Sequence, residues 1–346
     1  MKICFQSLMV LAFVGVLAPN LVLAAQVAPV PEVIVDRLNN PSGVAIQPET
    51  GDVFVADSGA LRIVRIVEGR IEPVITGFTR DAYGKSPIYD IGPLGLLFLD
   101  KDTLVVGGGG KPDGEEMLRV YKIPAADKPA ISADQTHGTA MMLSAKGDLV
   151  GEGNFYALAQ GKQGIYVTCN GDDEKGWISL AKLEGGKLAS FERKIATKEK
   201  IKFNAPVAIT ISPEKQIVVG QMGAITQVGD SQLSFYDEDG ELLDNFATDL
   251  NDITGLAYGP QHKRLFATDF NWLNTDKGGL YKLIAIQDNY EKCKAQELLK
   301  LKKPTALAFH PNGDLYITLA GNMSEGARKP DGKLIVIKGL DIDPNE

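Results

Sequence analysis

The chain has 346 residues, 44% apolar and 23% charged, with 36 basic against 44 acidic side chains and a formal net charge of −8. That length admits one large β domain or two ordinary ones, and the acidic excess argues against nucleic acid and against anionic lipid as partners. Three cysteines are too few for a disulfide-held scaffold, so the core must hold the fold together.

Residues 1–24 have the make-up of a secretory signal: Lys2 near the start, an apolar run over 8–17 and the small-residue pattern Val22-Leu23-Ala24. Cleavage is expected after Ala24 or Ala25, giving an exported chain, periplasmic or secreted. A membrane anchor is the other reading, but the run is too short for a bilayer and Pro19 and Asn20 interrupt it. Cys4 lies inside the signal and is a poor lipoprotein cysteine. No later segment is apolar enough to span a membrane, and residues 25–346 read as one domain. Cys169 and Cys293 are expected as unpaired thiols.

Six stretches follow one template. They are PSGVAIQPETGDVFVAD (41–57), GPLGLLFLDKDTLVVGG (92–108), FYALAQGKQGIYVTCN (155–170), APVAITISPEKQIVVGQ (205–221), ITGLAYGPQHKRLFATD (253–269) and PTALAFHPNGDLYIT (304–318). They recur at roughly fifty residues, with starts near 41, 92, 154, 205, 253 and 304, and the second and third copies match least well. Each copy gives a strand of small and branched residues, a polar turn, then a partner rich in Val, Ile, Tyr and Phe. Two further runs follow most copies. Four antiparallel strands repeated radially predict an all-β, six-bladed β-propeller. Its last copy lacks a fourth strand, while residues 33–38 form a strand without a partner. Pairing the two closes the ring and removes two edges, which disfavours an open solenoid.

Between the copies, Gly107 to Lys111 (GGGGK) lacks the remaining residues of a phosphate loop, since Val105 and Pro112 stand where Gly and Ser or Thr are needed. Residues 124–133 read as an ordered rim spacer. The basic residues Arg193, Lys194 and those at 198–202 read as a solvated outer strand, and 290–300 as a short outer helix. Asp237-Glu238-Asp239-Gly240 reads as a hairpin turn and not as a calcium loop. Asn322-Met323-Ser324 is a weak glycosylation sequon.

The loops that enter the inner strands and join second to third strands carry Asn40, Asp57, Asn154, Asn170, Asn204, Asp252, Asp269, Asn271, Trp272 and Asn322. As a ring this set suits a small polar ligand or a cation; singly, each Asx residue also suits a tight loop bonded to its own backbone.

The repeat Pro-x-Gly-[Val/Leu]-Ala, then Pro-x-Gly-x-[Leu/Val]-[Tyr/Phe]-[Val/Ile], resembles that of NHL-type propellers and of the six-bladed gluconolactonase and senescence-marker family. It is more remotely similar to strictosidine synthase and streptogramin lyase. Resemblance to the gluconolactonases implies a divalent cation at the top of the axis, held by acidic or amide side chains just before the small residue that opens an inner strand. Ser42, Thr254 and Thr305 stand there instead, and hydroxyls are poor sole ligands for such an ion. Resemblance to the lyases implies catalytic histidines, but His262 and His310 fall in turns at the opposite end and His137 in an outer segment. The expectation is therefore a monomeric binding or scaffold module for a small polar ligand or another exported protein, without identifiable catalytic machinery. The alternative is a metal-assisted lactonase or esterase, with Asp57, Asn204 and Asp269 as its metal or acid/base groups and a divalent cation such as calcium as its cofactor.

Overall fold

The computed structural model describes residues 29–84, 88–171, 174–286, 292–321 and 329–342; residues 1–24, expected as a signal, lie outside these, as do Asn322 and the sequon. Six antiparallel-dominated sheets surround one axis as a six-bladed β-propeller. The inner strands are Pro41–Ile46, Pro93–Asp100, Phe155–Gln160, Pro206–Ile211, Ile253–Tyr258 and Pro304–Phe309. Four begin with proline, which lacks an N–H and is tolerated at a strand's first residue. Small residues follow because the inner strands crowd together. A Cβ added at Gly43 would stand 2.2 Å from the Leu94 carbonyl oxygen of the next blade.

Both faces of each blade are buried against its neighbours, which explains why these strands are apolar on both sides. The core is accordingly divided into clusters between adjacent blades. Phe54 and Ile63 of blade 1 pack with Phe98 and Leu104 of blade 2, and Tyr166 and Ile178 of blade 3 with Ile209 and Val219 of blade 4. Cys169 lies between blades 2 and 3 and Cys293 between blades 4 and 5, both buried and free.

The ring closes as the unmatched strand suggested. Glu32–Leu38 lies antiparallel to Gly332–Ile337, with Val33 opposite Ile335 and Leu38 opposite Gly332, as the outer strand of blade 6. Val35 and Leu38 are buried in the cluster shared by blades 6 and 1. Beyond the last strand, the buried carboxylate of Asp341 accepts from Arg264 Nε (3.1 Å) and Nη2 (2.9 Å) and from the backbone N–H groups of Gln261 (2.7 Å) and His262 (3.0 Å). This ties the chain beyond blade 6 to the turn between the first two strands of blade 5.

Four details differ from the sequence reading. Cys293–Lys300 is the outer strand of blade 5 and not a helix, because pairing along Gly279–Ala285 overrides its local preference. The basic segment divides: Arg193 and Lys194 lie in the outer strand Lys187–Ala196, but Thr197–Ile201 is one short helical turn. Blade 2 has three strands, with only a bridge from Met141 to Leu118 in the fourth place. Blade 1 has five, since Ile131–Ser132 of the rim spacer adds in parallel to Arg70–Thr76. The Asp237 turn is a hairpin turn, its Oδ1 accepting from the N–H groups of Asp239 and Glu241 (both 2.9 Å).

Candidate functional site

Each inner strand carries a one-residue register shift just after its first residue, as between Pro41 and Gly43 or between Ile253 and Gly255. A bulge leaves a residue unpaired and re-aims its side chain. Six-fold repetition turns this into a ring around the upper end of the axis, made by Ser42, Leu94, Tyr156, Val207, Thr254 and Thr305. All six line one cavity. These are the positions where the gluconolactonase resemblance implies metal ligands.

The hydroxyls of this ring are already committed. Ser42 Oγ donates to the Pro93 carbonyl (3.1 Å), Thr254 Oγ1 to that of Pro304 (2.8 Å) and Thr305 Oγ1 to that of Pro41 (2.7 Å), each reaching the next blade. Tyr156 crosses the axis, its hydroxyl donating to the Thr305 carbonyl at 2.9 Å. It forms the floor of the cavity, and burial raises its pKa.

The walls come from residues just before the inner strands (Asn40, Asn154), just after the second strands (Asn170, Met222, Phe270) and from two insertions. One insertion is the hairpin Asp81–Tyr83 and Tyr89–Ile91 between blades 1 and 2. The other is the turn Trp272–Lys277 of blade 5. Trp272 is the hub of an aromatic cluster: ring centroids lie 4.5 Å from Phe270, 5.6 Å from Tyr89 and 6.1 Å from Tyr83. The cavity volume is about 80 Å³. An apolar cavity of roughly 150 Å³ holds benzene, so this space suits a molecule of no more than about one ring.

The residues expected on the top face separate into distinct groups. Asn40, Asn154, Asn170 and Trp272 line the cavity. Asn40 Nδ2 donates to the Asp90 carbonyl (2.9 Å) and Asn154 Nδ2 to that of Asn170 (3.1 Å), while the Asn170 side chain bonds Tyr83. Asp57 and Asp269 end equivalent second strands and hold their own loops. Asp57 accepts from Asn39 N–H (2.6 Å) and Arg62 Nε (2.8 Å), though burial still raises its pKa. Asp269 accepts from the N–H groups of Asn251 (3.2 Å), Asp252 (2.7 Å) and Asn271 (3.2 Å). Asn271 accepts from Asn274 N–H (3.1 Å), and Asn204 is exposed on the way into blade 4. Asp252 stands behind the aromatic wall, its Oδ2 accepting from Trp272 N–H at 2.6 Å; burial, with Asp269 and Asp230 nearby, pushes its carboxyl up to about 7.

Sequence reasoning missed Tyr83 and Tyr89. They lie in the connection between two repeats, outside the template, and only the close spacing of the two tyrosines marked it. Reading the six ring positions for what they lack was more informative, since the absence of carboxylates there was legible.

Among the described residues no three His, Cys, Asp or Glu side chains are grouped to hold a metal ion. The ring at the implied metal position has no carboxylate, and its hydroxyls donate to carbonyls, so these residues do not fit a divalent cation. Asp57, Asn204 and Asp269, the set considered for a metal-assisted hydrolase, are each placed in or beside their own loop. Carboxylates do gather behind Asn154: Glu116 accepts from its N–H, and a Cβ on Gly153 would stand 2.1 Å from Asp113 Oδ1 and 2.4 Å from Glu116 Oε2. Burial, with Asp113 nearby, pushes Glu116 up to about 8.

No protein-family model matches the chain, and no curated relative does. Solved structures with the same fold include the PQQ-bound aldose sugar dehydrogenase of Streptomyces coelicolor, at 13% identity and a TM-score of 0.59, covering 90% of this chain and 99% of that one. A luciferin-regenerating enzyme gives 14% identity and a TM-score of 0.55, covering 90% and 96%. A candidate gluconolactonase gives 11% and 0.50, covering 90% and 92%. Six-bladed propellers of the gluconolactonase type are thus among the structural neighbours of this chain, and at these identities the likeness is one of fold.

Proposed function

We propose that this chain is an exported binding module that holds a small molecule in the axial cavity between Tyr156 below and Trp272 above. The observation that carries this reading is the six-residue ring at the bulges: it offers shape and apolar surface where a metal-dependent relative would need ligands. Pockets of this kind, apolar with a few convergent polar groups, are the usual form of small-molecule sites. The expected small polar ligand becomes a mainly apolar one, because most of the polar groups on the wall are already bonded to protein. Export rests on the composition of residues 1–24.

Ligand binding to the folded state raises the melting temperature with dose. A panel of single-ring compounds should therefore include some that stabilise the purified mature chain, and Trp272→Ala should abolish that response. Metal-dependent turnover of a sugar lactone, lost on substitution of Asp57, Asn204 or Asp269, would replace this reading with the enzymatic one. Two observations favour that second reading: the enzyme names of the structural neighbours, and the buried carboxylates around Glu116.

A further inference from the structure

The cavity is walled by four aromatic rings besides Tyr156, and no charged side chain is among the described residues that line it. Lys303 Nζ sits 5.5 Å from the centroid of the Tyr89 ring and donates to the Gly321 carbonyl (3.0 Å). Asp252 is turned to the Trp272 backbone. A charged ligand would therefore be desolvated without a counter-ion lining the cavity, which costs several kcal/mol.

Tyr89 adds a specific feature. The residue is 3% exposed and lines the cavity, yet its hydroxyl is closed to a water-sized molecule and has no hydrogen-bond partner among the described residues. Leaving a buried donor without an acceptor is costly, so such a group calls for an explanation. Burial alone pushes this phenol up to about 12, so it is a neutral donor at physiological pH. The other polar groups offer less. The ring hydroxyls donate to carbonyls, and Asn40 and Asn154 each spend one amide N–H on a carbonyl, leaving their Oδ1 atoms as acceptors. The surface of this wall is mainly apolar, which suits a flat ring better than a polyol.

We infer that the ligand is an uncharged, planar, single-ring compound bearing a carbonyl-type acceptor, stacked against the Trp272 cluster with its acceptor meeting the Tyr89 hydroxyl after a small shift of that ring. This inference rests on the binding reading proposed above. It selects against sugars, sugar lactones and both signs of charge. Flat rings suit the aromatic walls, which favour offset or edge-to-face contacts, and the cavity holds about one ring.

Benzamide, benzoate and benzamidine share one shape and differ in charge. Their dissociation constants, with that of glucono-δ-lactone, are to be measured by ligand-observed NMR on the mature wild-type chain, Tyr89→Phe and Trp272→Ala. Benzamide should bind at least tenfold more tightly than the other three. Tyr89→Phe, which keeps the ring and removes the donor, should weaken benzamide about tenfold while leaving toluene unchanged, and without ligand it should melt at or above the wild-type temperature, since it removes an unsatisfied buried group. Tighter binding of benzoate, benzamidine or the lactone, sensitive to Trp272→Ala, would overturn the ligand class and leave the pocket as the binding site. Binding of every probe unaffected by Trp272→Ala, or absent throughout, would overturn the pocket reading itself.

Discussion

Tyr156 closes the axis because a bulge aims it there and because the Thr305 carbonyl lies within reach across the ring. Glu116 is the residue whose environment makes the sharpest statement about pH. It is 2% exposed, and burial holds its carboxyl up near 8, well above the usual carboxylate value. A raised folded pKa favours the protonated form in the native state. The contribution is therefore fully present below the unfolded value and is lost as pH rises towards 8. The denaturation midpoint of the wild type should fall across that window, to which Asp252 also contributes. Glu116→Gln keeps an acceptor and cannot ionise. Its stability relative to wild type should grow from pH 5 to pH 8.5, measured by urea unfolding at fixed ionic strength; a constant difference would refute the burial account of Glu116.

At the scale of single elements, the outer strand of blade 6 has the most to explain, since it is the first described strand in sequence and completes the last blade. Leu38 is fully buried on it. Closure makes this strand part of the core, so Leu38→Ala should cost about 2–5 kcal/mol, as at any well-packed interior site. Urea unfolding checks this, with Leu104→Ala of blade 2 as the internal comparison. A loss below about 0.5 kcal/mol, as expected of a surface substitution, would mean that the strand is not part of the closed ring. Inner and second strands were legible because Gly, Ala and Pro at fixed offsets report crowding at an axis. The outer elements were less so. Cys293–Lys300 has helix-forming Lys, Glu, Gln and Leu, and only its pairing with Gly279–Ala285 makes it a strand.

For the whole molecule, the six-fold repeat made the architecture readable, and the same repeat made the site only partly readable. Ser42, Thr254 and Thr305 could be named as departures from metal ligation. That they bond the next blade's carbonyls depends on the bulges, which no local pattern announces. Asp57 and Asp269 were read with the ring, whereas their equivalent places at the ends of second strands make them loop anchors. Tyr83 and Tyr89 come from an insertion that breaks the repeat, and function was hardest to read where periodicity ended. The central claim is that a neutral ring occupies the space between Tyr156 and the Trp272 cluster. The most direct test is a crystal structure of the mature chain soaked with 4-bromobenzamide, with bromine located by anomalous scattering. The account predicts a bromine peak inside the ring of six bulge residues or against Trp272, with the amide on the Tyr89 hydroxyl. Bromine bound elsewhere with this cavity filled by solvent, or a metal ion coordinated at the Ser42–Thr254–Thr305 level, would contradict it.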